Sequence, residues 1–276
     1  MGTIKTKPVK TALLLCVLGL GLSGCAPTLI PRFSNDYDSR FSWRNEFHFL
    51  RPADRNPTAA GDYSFIVVSD THIEDAASAG QFAALGGKLK PSDKFIVITG
   101  DVTDDGTREQ VQLFIDTAGT FSIPCYPVMG NHDLWTGKGM PWRELIGSTI
   151  YRVNAPGVTL LILDAANASL GYEQLEWLTG ELRSAEKTAF VFMHNNLFID
   201  SSPPDIEQFT DIRERARIMW TLKNRCTALF SGHLHKRLER TAGGVSYLTL
   251  ENYGQGVFCR VHITSSGVRW EFLRMF

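Results

Sequence analysis

The chain contains no apolar run long enough to cross a membrane, no excess of basic residues, no internal repeat and no paired cysteine motif. Each absence excludes something. The longest apolar stretch, 12–22, falls short of the about 20 residues that a spanning helix needs. A formal net charge of −1 without a basic stripe gives no footing for a nucleic-acid polymer. Without repeats or low-complexity tracts, solenoids and linker arrays drop out. Of five cysteines, none has metal-site spacing, so any metal must be held by other side chains. Cys125, Cys226 and Cys259 all lie in apolar runs, which predicts buried free thiols; the odd count permits at most one disulfide.

What is present is a chain of 276 residues, 43% apolar and 21% charged, enough for one large core. Its start is set apart. Lys5, Lys7 and Lys10 precede the apolar stretch, which ends Leu22-Ser23-Gly24-Cys25. This resembles a bacterial lipoprotein signal, and the resemblance implies cleavage before Cys25 and lipidation of its sulfur. Ala26 stands where inner-membrane retention would place aspartate, so export to the outer membrane is expected if the source has one. The alternatives are an ordinary secretory signal with an incidental cysteine, or myristoylation at Met1-Gly2. The expected organisation is a signal over 1–24, a tether over 25–61 and one domain over 62–276. Phe33, Tyr37, Phe41, Trp43, Phe47 and Phe49 argue that the tether partly packs on the domain.

Beyond residue 62, short apolar runs predict strands over 63–69, 94–99, 123–129, 158–163 and 189–193, with three more over 245–250, 257–263 and 268–273. Helices are expected over 76–90, 107–118, 173–185 and 206–222, and Thr107 with Gln110 has capping-box spacing. Continuous apolar strands alternating with helices predict sheets covered by helices, antiparallel in part near the C-terminus.

Five motifs lie at the ends of such runs, in order: Asp70-Thr71-His72, Gly100-Asp101, Gly130-Asn131-His132-Asp133, His194 and Gly232-His233-Leu234-His235. They hold five of the seven histidines; His48 and His262 lie outside them. Imidazoles, carboxylates and one amide are metal donors, and residues ending successive strands can converge at one sheet edge. Any one motif occurs by chance; the set in this order does not.

The set resembles the calcineurin-like metallophosphoesterase superfamily, in its compact phosphodiesterase-like branch, over residues 63–270. The resemblance implies an α/β, four-layer α-β-β-α sandwich of two mixed sheets flanked by helices. It implies two divalent or trivalent ions (Mn, Fe, Zn or Mg), bridged by Asp101, with Asp70, His72 and His235 on one and Asn131, His194 and His233 on the other. A bridging hydroxide would attack phosphorus while His132 protonates the leaving alkoxide, and the Asp104 carboxylate would orient His132. The implied substrate is a small phosphate ester.

Departures narrow the branch. Asp105 stands where protein phosphatases of the family carry an arginine, and Asp104 where purple acid phosphatases carry a tyrosine. His132 is retained where related lipid-precursor hydrolases replace it. Phosphodiesters are therefore expected first and phosphomonoesters second. A non-catalytic envelope lipoprotein with a structural metal cluster is the remaining alternative, although it has no need of His132. The loops over 134–147, with Trp135 and Trp142, and over 195–207, with Asn195, Asn196, Pro203 and Pro204, are placed to overhang the metals; each aromatic could face a substrate or simply pack its loop.

Overall fold

The structure is a computed structural model that describes residues 40–186, 188–198, 209 and 211–276. The signal sequence, Cys25, Phe33, Tyr37, Pro203 and Pro204 lie outside the described residues.

Two sheets form the centre. In the first, β1 (Tyr63–Val68), β2 (Asp93–Ile98) and β3 (Cys125–Pro127) run parallel. β10 (Val257–Thr264) pairs antiparallel with β1, and β11 (Gly267–Arg274) continues the hairpin, giving the order β11-β10-β1-β2-β3. In the second, β5 (Val158–Ile162), β6 (Thr188–Phe192), β7 (Ala228–Ser231) and β9 (Val245–Thr249) are parallel. Antiparallel edges close it: β4 (Tyr151–Ala155) and β8 (Leu238–Ala242), in the order β4-β5-β6-β7-β9-β8.

Strand periodicity explains the layering. Successive side chains point to opposite faces, so Phe65, Val67, Phe95 and Val97 face inward against Leu160, Ile162, Phe190, Phe192 and Phe230 of the other sheet. Phe65 stacks on Phe95 at 4.7 Å between centroids and meets Phe190 edge-on at 5.5 Å. The alternate residues Ile66, Val68, Ile96 and Ile98 face outward onto α1 (Ala76–Ala83), α2 (Arg108–Ala118) and α3 (Met140–Leu145) through Phe82, Val111, Phe114 and Trp142. On the far side, Leu161 and Val191 pack against α4 (Gly171–Ser184) and α5 (Ile212–Leu222) through Leu175, Leu178, Leu182 and Ile218. The result is the expected α-β-β-α sandwich of two mixed sheets.

Several elements differ from the sequence reading. The helix expected over 76–90 is α-helical only to Ala83 and tightens into a 3₁₀ turn over Ala84–Lys88, where Gly86-Gly87 weakens the α ladder. The Thr107 hydroxyl accepts from Gln110 N–H at 3.2 Å, but the Gln110 side-chain Oε1 takes the Asp105 N–H at 2.8 Å, so the capping box is not reciprocal. The third strand shortens to three residues. β4 and β8 escaped the reading because their polar residues face solvent at the sheet edges. Of the helix expected over 206–222, the described part begins at Ile212, capped by Asp211.

The stretch before the domain is packed from Arg40 onward. The Arg40 guanidinium is buried and forks onto Asp164 at 2.6 and 3.0 Å. Trp43 and Leu50 are buried, and Phe47 and Phe49 lean on the core. Cys125, Cys226 and Cys259 are buried free thiols, as expected; burial raises all three, Cys226 to about 12. Among the described residues no helix is long and apolar enough to cross a membrane.

Candidate active site

The five motifs occupy the loops that leave the C-terminal ends of β1, β2, β3, β6 and β7, so both sheets contribute to one edge. The first two loops are zipped together: Asp70 N–H donates to Gly100 O, His72 N–H to Asp101 O and Ile73 N–H to Val102 O, each at 3.0 Å. This ladder requires sharp chain reversals. Of the eight non-glycine residues with positive φ among the described residues, five belong to the motifs: Asp70, His72, Asp101, His233 and His235. Left-handed backbone at such residues costs free energy and persists where the surroundings force it. Gly100, at φ 95°, also lies flat against the His194 ring, leaving no room for a Cβ.

All seven predicted donors converge. Asp70, His72, Asp101 and His235 place one donor atom each within 4.8 Å of one another, and so do Asp101, His194 and His233. Asp101 belongs to both groups. Asn131 joins the second through its side-chain oxygen, 3.0 Å from His194 Nε2 and 3.1 Å from His233 Nδ1. His194 is fully buried, and its Nδ1 donates to Thr99 O at 3.0 Å, which turns Nε2 toward Asp101 Oδ2 at 3.2 Å. His72 Nδ1 donates to Asp104 Oδ1 at 3.1 Å, leaving its Nε2 free to face His235 Nε2 at 3.3 Å. His235 Nε2 is also 3.3 Å from Asp70 Oδ1.

Ring nitrogens whose other nitrogen is already a donor present lone pairs here, and they meet further lone pairs. A cation is the group that satisfies several converging lone pairs at once, and oxygen-plus-imidazole sets suit first-row transition metals. The donor set therefore fits metal binding. With protein groups alone, burial drives Asp101 upward, but the His194, His132 and His72 imidazoles outweigh it and hold its carboxyl far below the usual range. Burial opposes a charge on His194, yet Asp101 and Asp70 raise it to about 9. Burial lowers His72; the Asp70 hydrogen bond raises His235.

His132 stands at the rim with its side chain 22% exposed. Its N–H donates to Asp101 Oδ1 at 3.0 Å, and its Nδ1 donates to the backbone carbonyl of Asp104 at 2.7 Å. This corrects the expected role of Asp104: the carbonyl, not the carboxylate, orients His132. The carboxylate lies 3.9 Å from His132 Nδ1 and is spent on His72 instead, because the loop turns it toward the first motif. His132 Nε2 thereby faces the cluster, 4.0 Å from Asp101 Oδ2.

Trp135 stacks on the His132 ring at 3.7 Å between centroids and 30° between planes, and is 55% exposed. Trp142 is fully buried in the layer beneath α3 and plays no part at the site. Asn196 holds its turn by accepting from Phe198 N–H at 2.9 Å. His262 lies outside the site and pairs with Glu271 at 3.0 Å.

One residue of the third motif was given no part from sequence. Asp133 is buried and accepts from Gly130 N–H at 2.9 Å, Thr103 N–H at 2.9 Å, Val102 N–H at 3.2 Å and the Thr103 hydroxyl at 2.7 Å. Burial and the Asp101 charge raise it to about 6, against those hydrogen bonds. It locks the third motif onto the second. Its signal in the sequence was a carboxylate three residues after Gly130, just beyond an apolar run.

The profile of the calcineurin-like phosphoesterase family matches residues 63–237. The chain belongs to the calcineurin-like phosphoesterase family. Membership makes it a metal-dependent phosphohydrolase, with a cluster of Asp and His able to hold metal. Among its relatives is a probable glycerophosphodiester phosphodiesterase GpdQ of Arcobacter nitrofigilis, 27% identical over 197 residues, 62% of this chain and 71% of that one. A probable cyclic nucleotide phosphodiesterase of Fibrobacter succinogenes is 22% identical over 232 residues, 75% of this chain and 87% of that one. Among solved structures, the purple acid phosphatase PPD1 from yellow lupin superposes with a TM-score of 0.65 at 12% identity over 79% of this chain. The match covers 52% of the lupin enzyme, so this chain spans about half its length. That likeness is one of fold.

Proposed function

We propose that the chain is a two-metal phosphodiesterase. The observation that carries this reading is the sharing of Asp101 between two donor groups that meet beside His132. Asp70, His72, Asp101 and His235 would hold one cation, and Asp101, Asn131, His194 and His233 the other. When bound, the cations would supply Lewis-acid stabilisation of phosphoryl charge and a water acidified enough to act as nucleophile near neutral pH.

The chain's own groups do the rest. Asn131 contributes a neutral oxygen, which limits negative charge where an anionic phosphate must approach. His132, with Nδ1 committed to the Asp104 carbonyl, keeps Nε2 for proton transfer to a leaving oxygen. The Asp104 carboxylate fixes the tautomer of His72 so that Nε2 is available to metal. Asp105, in place of a phosphate-gripping arginine, disfavours phosphoprotein substrates, and the names of the relatives support diesters.

The test is add-back of Mn, Zn, Fe or Mg to stripped protein, with a generic aryl phosphodiester and its matched monoester as substrates. Metal-dependent cleavage favouring the diester is expected. Preference for the monoester would contradict the diester reading, and two bound metals without turnover of either would contradict the enzyme reading. We also propose export and lipid anchoring through Cys25, supported by the residues before it. Cys25→Ala should abolish incorporation of a labelled fatty acid; undiminished labelling would contradict it.

A further inference from the structure

Away from the metal cluster, at the edge of the second sheet, β4 and α4 meet the segment over 44–55 in a cavity of about 190 Å³. Three arginines line it, Arg44, Arg55 and Arg152, with Phe47 and Trp177 among its apolar walls and Glu181 as its one carboxylate. Glu181 is taken by Arg152 at 2.9 Å, and Arg152 is further bound to Ser184 Oγ at 2.9 Å.

The other two guanidiniums have no carboxylate among the described residues. Arg44 lies over the Phe41 ring at 4.4 Å and spends one N–H on Phe41 O at 3.2 Å. Arg55 lies over the Phe47 ring at 4.1 Å, and its buried Nε has no hydrogen-bond partner among the described residues. Contact with the rings restrains both guanidiniums, so less side-chain entropy remains to be lost on binding. A buried donor without a partner carries a desolvation cost that a bound acceptor relieves. Two unneutralised cations in one recess repel each other unless an anion sits between them.

We propose that this cavity is a binding site for a small phosphate-bearing anion in solution, separate from the metal cluster. Phosphate oxygens match the forked donors of arginine, which bind them in pairs. The volume lies below the range of sites for drug-sized ligands, so the phosphate would carry at most a small body against Phe47 and Trp177. The cavity and its arginines are separate from the reaction proposed for the metal cluster.

The test is calorimetric titration of the metal-loaded full chain with inorganic phosphate. It compares wild type with the double variant Arg44→Gln/Arg55→Gln, both checked for equal thermal midpoints. A single Arg55→Lys variant keeps the charge but loses the fork, and guards against misfolding of the double variant. Wild type should show a class of sites that is weakened at least tenfold in the double variant and partly in Arg55→Lys. Inhibition of turnover by phosphate, which reports the metal cluster, should not change. Identical isotherms would overturn the proposal, and so would a parallel change in that inhibition. A third arm uses phosphatidylglycerol vesicles. Loss of co-sedimentation in the double variant, with the phosphate isotherm intact, would assign the cavity to a lipid surface and overturn it as well.

Discussion

The strands and the loops that leave them are contiguous in sequence and obey opposite rules. Within β1 and β2 every apolar residue is buried, and no residue adopts positive φ. Two or three residues later the chain buries Asp70 and Asp101 beside imidazoles and adopts left-handed backbone at both. The strands use the hydrophobic effect to build a rigid edge. The loops use that rigidity to hold groups that repel, strain or desolvate one another without a cation. Stability is made in one region and consumed in the next.

That division can be broken from the loop side first. Asp101→Asn keeps the shape but removes the shared charge. It should cost at least about 10³-fold in kcat, since metal stabilisation of the transition state is worth several kcal/mol, while circular dichroism shows the fold retained. Near-normal turnover in a folded Asp101→Asn protein would break the comparison. His132→Ala should lower kcat by about 10²–10⁴-fold, the usual worth of a positioned proton donor, with bound metal unchanged by elemental analysis.

From the strand side, Phe65→Ala opens a cavity between the sheets and should cost about 3–5 kcal/mol in denaturant titrations, while the folded fraction keeps its kcat. An equal loss of kcat per folded molecule would show that the two regions are not separable. Trp135→Leu removes one stacked ring from His132. It should reduce kcat/KM by about 2–10-fold, as an aromatic pair contributes about 0.5–1.5 kcal/mol. The smallest effect concerns Glu214, which accepts from the N–H groups of Leu170 and Gly171 and from the Ser169 hydroxyl. Burial raises its pKa despite those bonds. A raised folded pKa means the unfolded chain ionises first, so stability falls as pH rises from the ordinary carboxylate range through the folded value. Glu214→Gln should flatten that slope in pH-dependent melting; an unchanged slope would assign it to another group.

The same contrast explains what the sequence disclosed. Strand cores were legible because β1, β2, β5 and β6 are buried on both faces and read as unbroken apolar runs. β4 and β8 were not, because edge strands with solvent-facing polar residues lose that signal. The donors were legible because residue type and order suffice to mark Asp70 through His235. The partner of each side chain was not. Whether Asp104 meets His132 by its carboxylate or its carbonyl depends on the turn after β2, and both atoms belong to the same residue. Asp133 carries no chemistry of its own, so its four hydrogen bonds emerge only when Gly130, Val102 and Thr103 are brought together in space. The cavity of Arg44, Arg55 and Arg152 joins segments about a hundred residues apart, which no local pattern reveals.

The central claim is that Asp101 is shared by two cation sites. The most direct measurement is metal content by elemental mass spectrometry after Mn add-back and desalting, on wild type and Asp101→Asn together. Two metals per wild-type chain are expected, with loss of both, or of all but one weakly held ion, in the variant. One metal in wild type, or two retained in Asp101→Asn, would contradict it.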